Sequence, residues 1–398
     1  MPSGIKYYSF LESSGYGLAG IAYVRGLVNA GAAVHWNTLL WQGGAIATVR
    51  AGDAVPLLAQ IGDDAALRDL PALLEATSRS IACDTIVAHT VPEHWPTLFE
   101  AGKRNVGYTV LETDAPPPHW APLLDGAAAV CVPCHMNREA LATAGVRAPL
   151  HVVPHIHRHA WNEFAPSELA VFRAQLGIPD DHFVFYTIGA WEPRKALPLL
   201  LHAFVHAFAP DDPVTLVIKT QATGFGPPPF FALQPTTDLA QSAIDAACAE
   251  AGHAAPSICL LPYELTGRGI DMLHEIGHAY VSLAHGEGWA LGAFDAATRG
   301  TPVTMTAWGG HRDYLGDDWP GAVDCRLTSV PVWPPYHPSL WPPQRWATPD
   351  FAAAVTSLRR AFATPEAAAP AATRIQEEIA NRYAEPVVTR EYLAAIHG

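Results

Sequence analysis

Over nearly its whole length the chain alternates short β-rich runs with amphipathic helical runs, and few folds accommodate that rhythm. IKYYSF reads as a strand, SSGYGLAG as a glycine-rich turn, and the next stretch as a helix with Leu18, Ile21, Val24 and Val28 on one face and Gly31 as its stop. AVHW, TIVAH (85–89), NVGYTVLE (105–112), AAAVCVP (127–133) and LHVVPH (150–155) follow as strands. The pattern then restarts with FVFYTIG (183–189), a helix through ALPLLLHAFVHAF and the strand VTLVIKT. A helix near 238–252, SICLLP, a helix near 270–277, AYVSL (279–283), a helix from about 290 and PVTMT complete it. Such alternation predicts an α/β protein of βαβ units with mostly parallel sheets and right-handed crossovers.

The two series flank the polar, proline-bearing stretch HRHAWNEFAPSE. Two Rossmann-like doubly wound domains facing a central cleft are therefore expected, over 1–165 and 166–380, with a C-terminal helix, 381–398, packing back on the first. The length of 398 residues suits two cores. Ligands of such sheets bind at the carboxyl ends of the strands, which puts the expected site in the cleft. The insertion SVPVWPPYHPSLWPPQRWATPD (329–350) is too proline-dense for a helix or a central strand, and reads either as a lid or acceptor loop or as a packed surface excursion.

Hydrophobic residues make up 49% and charged residues only 16%, which excludes disorder. The net charge of −14 argues against broad binding to nucleic acid or anionic lipid, and no basic half hides behind the total. The amino terminus has no basic region followed by an apolar one, and no long apolar run occurs later, so a cytoplasmic protein without stable membrane insertion is expected. In Cys131-x-x-Cys134 the alternation of AVCVP buries Cys131 on a strand, a structural role. The run His151, His155, His157 and His159 lies where the chain should leave the first domain, with no acid or cysteine cluster beside it, so no metal site is expected.

The chemistry concentrates at strand ends of the second series. In AHGEGWALGAFDAATRGTPV, Glu287 sits in a glycine-flanked loop after AYVSL, and a helix begins just beyond it. Gly288 and its small neighbours let a ligand approach the backbone, and the amides of Ala290 and Leu291 at the helix start can bind an anion. Asp295, eight residues past Glu287, reaches for hydroxyl groups on the same ligand. In IGAWEPRKALPLLLHAF the strand ends at Gly189, and Arg194 and Lys195 follow where cations can neutralise a diphosphate; Lys219 ends the neighbouring strand. A carboxylate, free amides and cations suit a molecule with both hydroxyls and phosphates, a sugar nucleotide.

These segments resemble the retaining glycosyltransferases of the GT-B fold, family-4 type. GEGWALGAFDAATRGTPV looks like that family's donor motif of two acids eight positions apart, and IGAWEPRKALPLLLHAF like its phosphate-binding loop. VPCHMNREALATAGVRAPLHVVPHIH is similar to the end of its first domain, SSGYGLAG to its amino-terminal glycine loop and AWGGHRDYL to the segment after the donor motif. The resemblance implies that Glu287, with Gly288, Trp289, Ala290 and Leu291 around it, contacts the donor sugar, and that Asp295 contacts the nucleotide ribose. Arg194 and Lys195 would hold the diphosphate beside Gly189 and Lys219. Gly15 and Gly17 would line the opposite side of the cleft, and His89 would touch the transferred sugar. Read from the residues themselves, Tyr16 is a candidate acceptor contact, and His311 in GGHRDYL, with Arg312, a candidate donor or acceptor contact. The chain departs from the family where Asp295 is one methylene short and Ala190 stands in place of an arginine, for which Arg194 substitutes.

The implied reaction is transfer of a hexose from a UDP- or GDP-sugar to a hydroxyl of a saccharide, metabolite or protein, with retention, no metal and no cofactor beyond the co-substrate. Fixed cations would act on the charge that develops on the departing diphosphate. A sugar-nucleotide epimerase of the same architecture and a non-catalytic nucleotide-sugar binder are the alternatives.

Overall fold

The strands of the first series carry β-branched and aromatic residues, and in the computed structural model they pair side by side. The structure describes residues 4–42, 45–49, 63–158, 160–226, 232–331 and 343–398. Strands β1 (Gly4–Phe10), β2 (Val34–Gln42), β3 (Ala45–Val49), β4 (Cys83–His89), β5 (Arg104–Tyr108), β6 (Ala129–Val132) and β7 (Leu150–Val152) form one sheet in the order β3-β2-β1-β4-β5-β6-β7. All neighbours are parallel except β2 and β3. The chain therefore reverses its direction of winding between β1 and β4, the kind of switch point beyond whose strand ends doubly wound sheets bind ligands.

The second series repeats the plan. After β8 (Phe183–Ile188) and β9 (Val214–Lys219) comes a small hairpin of β10 (Thr223–Phe225) and β11 (Leu233–Pro235). Then β12 (Ser257–Leu261), β13 (Ala279–Ser282), β14 (Val303–Thr306) and β15 (Ala322–Val323) complete an all-parallel sheet in the order β12-β9-β8-β13-β14-β15. Its switch point lies between β8 and β13, the strands that feed the two loops singled out above. All six residues of β9 are buried, as a parallel strand covered on both faces requires. Phe185, Leu201, Phe204, Leu216, Ile218, Val281 and Leu358 form the core of this unit. Ile86, Ala88, Trp95, Trp120, Val130 and Val132 form that of the first.

The chain divides into two compact units, Met1–Trp161 with Ala380–Gly398, and Asn162–Ile379. The C-terminal helix Glu385–His397 belongs to the first unit, where Asn29 Nδ2 donates to Glu385 Oε1 (2.7 Å) and Arg104 Nε to the carbonyl of Ile396 (2.7 Å). A methyl group at Gly26 would stand 2.2 Å from Thr389 Oγ1, so that glycine sets how closely the two helices approach.

Two local expectations change. SSGYGLAG is not a turn: Ser14 caps a helix that starts at Gly15 and runs to Asn29, its hydroxyl accepting from the amide of Gly17 (3.2 Å). The buried stripe of that helix runs through Gly17, Gly20, Ile21, Val24 and Leu27, while Leu18 and Val28 are only half-buried. The proline- and tryptophan-rich insertion contains a strand, β17 (Arg345–Pro349), which pairs antiparallel with β16 (Cys325–Ser329). Its centre, 332–342, lies outside the described residues, as does His159. Cys131 and Cys134 are buried, and burial pushes the Cys131 thiol up to about 12, far from a reactive thiolate. Among the described residues no three His, Cys, Asp or Glu side chains cluster as metal ligands.

Candidate active site

The loops after β8 and β13 meet at the switch point of the second sheet. After Gly189, whose amide donates to the carbonyl of Lys219 (3.0 Å), the first loop forms a short 3-10 turn, Pro193–Lys195. It ends at Ala196, φ +50°, before the helix Leu197–Ala207. The second loop carries Glu287 and ends at Ala290, φ +66°, before the helix Leu291–Thr298. These two alanines are the described non-glycine residues with positive φ, and each immediately precedes a helix. The left-handed region costs an alanine about 1 kcal/mol or more, so the surrounding contacts over-determine both bends. Neither cap side chain bonds to a first-turn amide. For Leu291–Thr298, that leaves the first turn without an acceptor from its own cap residue, in a loop already charged by Glu287.

The two loops are locked together. Lys195 Nζ lies 2.6 Å from Glu287 Oε1 and Arg194 Nη1 3.4 Å from Glu287 Oε2. Arg194 Nη1 also donates to the carbonyl of Gly286 (2.7 Å), Nη2 donates to Glu192 Oε1 (2.6 Å), and the amide of His285 donates to the carbonyl of Arg194 (2.7 Å). Glu287 is 6% exposed. Burial alone would raise its carboxyl, but Lys195 and Arg194 outweigh that and hold it below the usual carboxylate range.

The two cations differ in setting. The Arg194 side chain is 9% exposed and spends its fork on loop carbonyl and carboxylates, whereas that of Lys195 is 21% exposed and has three ammonium protons for Glu287, its one carboxylate partner among the described residues. Arg194 is thus placed as a brace and Lys195 as the cation able to serve a ligand. Lys219, one strand over, pairs with Glu264 Oε2 (3.3 Å).

Several other sequence-predicted residues gather here. Gly288 is buried beside Glu287, and Leu291 opens the helix. Asp295 is half-buried on that helix, and its carboxylate acts together with that of Glu287 on Tyr280, whose hydroxyl burial already keeps protonated. Tyr280 Oη would lie 2.7 Å from a methyl at Gly292, which fixes the need for glycine there. Trp289 is 3% exposed and packs against Phe294 and Tyr314, so its ring is core. Tyr314 Oη donates to the carbonyl of Ala290 (3.2 Å), holding the strained bend.

His311 is fully buried, behind Glu287 and not on a surface open to an acceptor. Its Nε2 donates to the carbonyl of Thr306 (2.8 Å), and burial brings its pKa down to about 4. The amide of Gly310 donates to the carbonyl of Glu287 (2.8 Å), and a methyl at Gly309, φ +142°, would strike both that carbonyl and the His311 ring.

A brace absent from the sequence reading comes from β17. The His285 ring stacks on Trp346 (4.6 Å) and its Nδ1 donates to the carbonyl of Ala347 (2.7 Å). Nothing in the sequence marks a contact across 62 residues; the proline-rich stem of the insertion thereby supports the Glu287 loop.

In the first unit, His89 ends β4 at that sheet's switch point, 1% exposed, with its Nε2 lacking a partner among the described residues. Its Nδ1 lies 3.0 Å from Tyr7 Oη. Gly15 is exposed on the first helical turn, and Gly17 is buried there because a methyl would lie 2.1 Å from the carbonyl of Glu12. The Tyr16 hydroxyl contacts Thr109 Oγ1 (3.3 Å) and accepts from the amide of Val110 (3.2 Å), so it is structurally engaged. Gly20, unremarked in the sequence reading, lets the helix pass against Ser9, where a methyl would meet Cβ and Oγ at 2.7 Å.

Two doubly wound sheets, with a cation–carboxylate cluster at the switch point of the second, define the class: the chain has the GT-B fold of nucleotide-sugar glycosyltransferases. It is similar over 99% of both chains to Anabaena HepE, solved with UDP and glucose, at a TM-score of 0.64 and 15% identity. An α,α-trehalose-phosphate synthase (UDP-forming) from Burkholderia vietnamiensis matches 100% of this chain and 99% of its own, at a TM-score of 0.61 and 12% identity. Sucrose-phosphate synthase from Thermosynechococcus elongatus matches 98% of both chains, at a TM-score of 0.61 and 13% identity. A curated sequence, the D-inositol 3-phosphate glycosyltransferase of Geodermatophilus obscurus, is 29% identical over 162 residues, 41% of this chain. The match spans about a third (34%) of that relative's length. No family model matches the chain.

Proposed function

We propose that this protein is a retaining glycosyltransferase that moves a hexose from a UDP-sugar to a hydroxyl of a saccharide, a metabolite or a protein. The carrying observation is the junction of Lys195 with Glu287 at the switch point of the second sheet, between two loops that end in strained alanines. The solved structures of similar fold with UDP, and the UDP-forming activity one of them is named for, support a uridine donor over GDP.

Breaking the anomeric C–O bond leaves negative charge on the diphosphate and positive charge on the sugar. Lys195 and the amides opening Leu291–Thr298 neutralise the first, and act mainly on charge that appears in the transition state. Glu287, kept ionised by its two cations, accepts hydrogen bonds from sugar hydroxyls and faces the developing oxocarbenium. Asp295 serves the ribose. The departing oxygen takes the acceptor's proton on the face it leaves, which preserves the anomeric configuration. With protein cations and amides performing the neutralisation, the reaction calls for neither metal nor cofactor.

The test is incubation of the folded protein with UDP- and GDP-sugars, with and without a pool of hydroxyl acceptors, followed by NMR of the products. Acceptor-dependent release of UDP with a glycoside of unchanged anomeric configuration is expected. An epimer formed without acceptor, or saturable binding with no transfer to any acceptor, would overturn the assignment.

A further inference from the structure

We propose that Tyr7 and Tyr392 are positioning residues for His89: their hydroxyls form a relay that fixes the imidazole as the neutral tautomer with its proton on Nε2, a donor left for a ligand oxygen. The identity of that oxygen rests on the glycosyltransferase reading; the tautomer does not.

Four tyrosine rings surround His89, with centroids at 4.3 Å (Tyr108), 5.5 Å (Tyr16), 5.7 Å (Tyr23) and 6.2 Å (Tyr7). Three of their hydroxyls are committed elsewhere. Tyr23 and Tyr108 contact one another (2.7 Å), and both donate toward the carbonyl of Val153, at 3.0 and 2.9 Å. Tyr16 serves Thr109 and Val110. The hydroxyl of Tyr7 alone among the four reaches the imidazole, at Nδ1.

The direction of that bond follows from the next link. Tyr392 Oη donates to Tyr7 Oη (3.2 Å), so the Tyr7 oxygen is already accepting and its own proton is free to go to Nδ1. A histidine whose Nδ1 accepts, and which is neutral, carries its proton on Nε2. All three side chains are at most 1% exposed, and burial keeps both phenols protonated and the imidazole uncharged. The Nε2–H that results has no acceptor among the described residues. A buried donor left unbonded is costly unless a ligand uses it, and a neutral N–H suits an uncharged hydroxyl oxygen.

The relay also explains what the returning C-terminal helix contributes. Tyr392 is 385 residues from Tyr7, and docking of Glu385–His397 on the first unit is what brings the outer donor of the relay into place.

The experiment is 15N NMR of the full chain labelled at histidine, near neutral pH, with His89→Gln identifying the His89 resonances, and kinetics on the same variants. Wild type is expected to show a protonated Nε2 and an unprotonated Nδ1. Tyr7→Phe should move both resonances toward the opposite tautomer, lower kcat for transfer about five- to thirtyfold, and leave KM for the UDP-sugar within about threefold. Tyr392→Phe, which does not touch the ring, should shift the resonances in the same sense by less. A protonated Nδ1 in wild type, or an unchanged His89 spectrum in both variants, overturns the relay. Absence of transfer by wild type, with the tautomer as stated, removes the sugar oxygen and leaves the relay intact.

Discussion

Lys195 and Glu287 are 92 residues apart in sequence, yet the ammonium of one lies 2.6 Å from the carboxylate of the other. They follow β8 and β13, the strands that flank the switch point of the second sheet, so the topology itself delivers them to each other. Beside them Arg194 ties Glu192, Gly286 and Glu287 into one brace. One carboxylate is thereby kept ionised in a nearly water-free place, and one cation keeps protons to offer.

Glu287→Gln keeps the shape of the side chain and removes its charge. Sugar transfer should fall about 10²- to 10³-fold, comparable with loss of one preorganised charge-stabilising group. UDP affinity, measured by titration calorimetry, should stay within about threefold or rise, because Lys195 and Arg194 lose their counter-charge. A variant that kept its turnover and lost UDP would mean Glu287 serves the nucleotide instead.

Arg194 and Lys195 should separate cleanly on mutation. Arg194→Lys cannot reproduce the bridging fork and should lower unfolding free energy by about 1–3 kcal/mol, read by chemical denaturation. Lys195→Ala leaves the buried Glu287 carboxylate with Arg194 alone, so it too should cost stability, and the two variants should separate on UDP affinity, which Lys195→Ala lowers and Arg194→Lys largely keeps. Equal losses of UDP affinity would show that the two are not brace and ligand cation.

Ala196 and Ala290 hold φ of +50° and +66°. Replacing either with glycine relieves about 1–2 kcal/mol of strain against about 0.4–1 kcal/mol of added unfolded-state entropy. Ala196→Gly and Ala290→Gly should therefore each stabilise the protein modestly, and a lowered melting temperature would contradict the left-handed geometry.

Acid should destabilise the protein in two stages. His311 falls from 6.5 to about 4 and His155 to about 3 through burial, and burial also lowers His89, so the unfolded chain binds their protons first. Stability is full above pH 6.5 and declines below it, with each such histidine contributing roughly 1.4 kcal/mol per pH unit. Glu287, depressed below 4.5, adds stability that is present above pH 4.5 and lost as pH falls through its folded value. His311→Asn should flatten the profile between pH 6.5 and 4, and Glu287→Gln should flatten it only below 4.5. Identical profiles for all three proteins would rule the assignment out.

Much of the fold was legible because period-2 and period-3.6 patterns alternate clearly, and parallel strands such as VTLVIK announce themselves by being apolar throughout. Glu287, Arg194 and Lys195 were legible because strand ends in such sheets are where ligands bind. SSGYGLAG misled because glycine disfavours helices, while the cap supplied by Ser14 and the close approach to Ser9 at Gly20 demand small residues inside one. The bends at Ala196 and Ala290 left no trace, since alanine does not signal a left-handed backbone. His311 looked like a contact residue until its burial was known, and the Tyr392–Tyr7–His89 relay joins distant segments through tertiary packing alone.

Titration calorimetry of wild type and Lys195→Ala with UDP and UDP-glucose decides whether Lys195 grips the phosphates of a nucleotide donor. Wild type should bind both, and Lys195→Ala should bind each about 10- to 100-fold more weakly, the loss of one charge-assisted bond to a phosphate. Wild-type protein that binds neither, or a Lys195→Ala variant that binds both as wild type does, would contradict it.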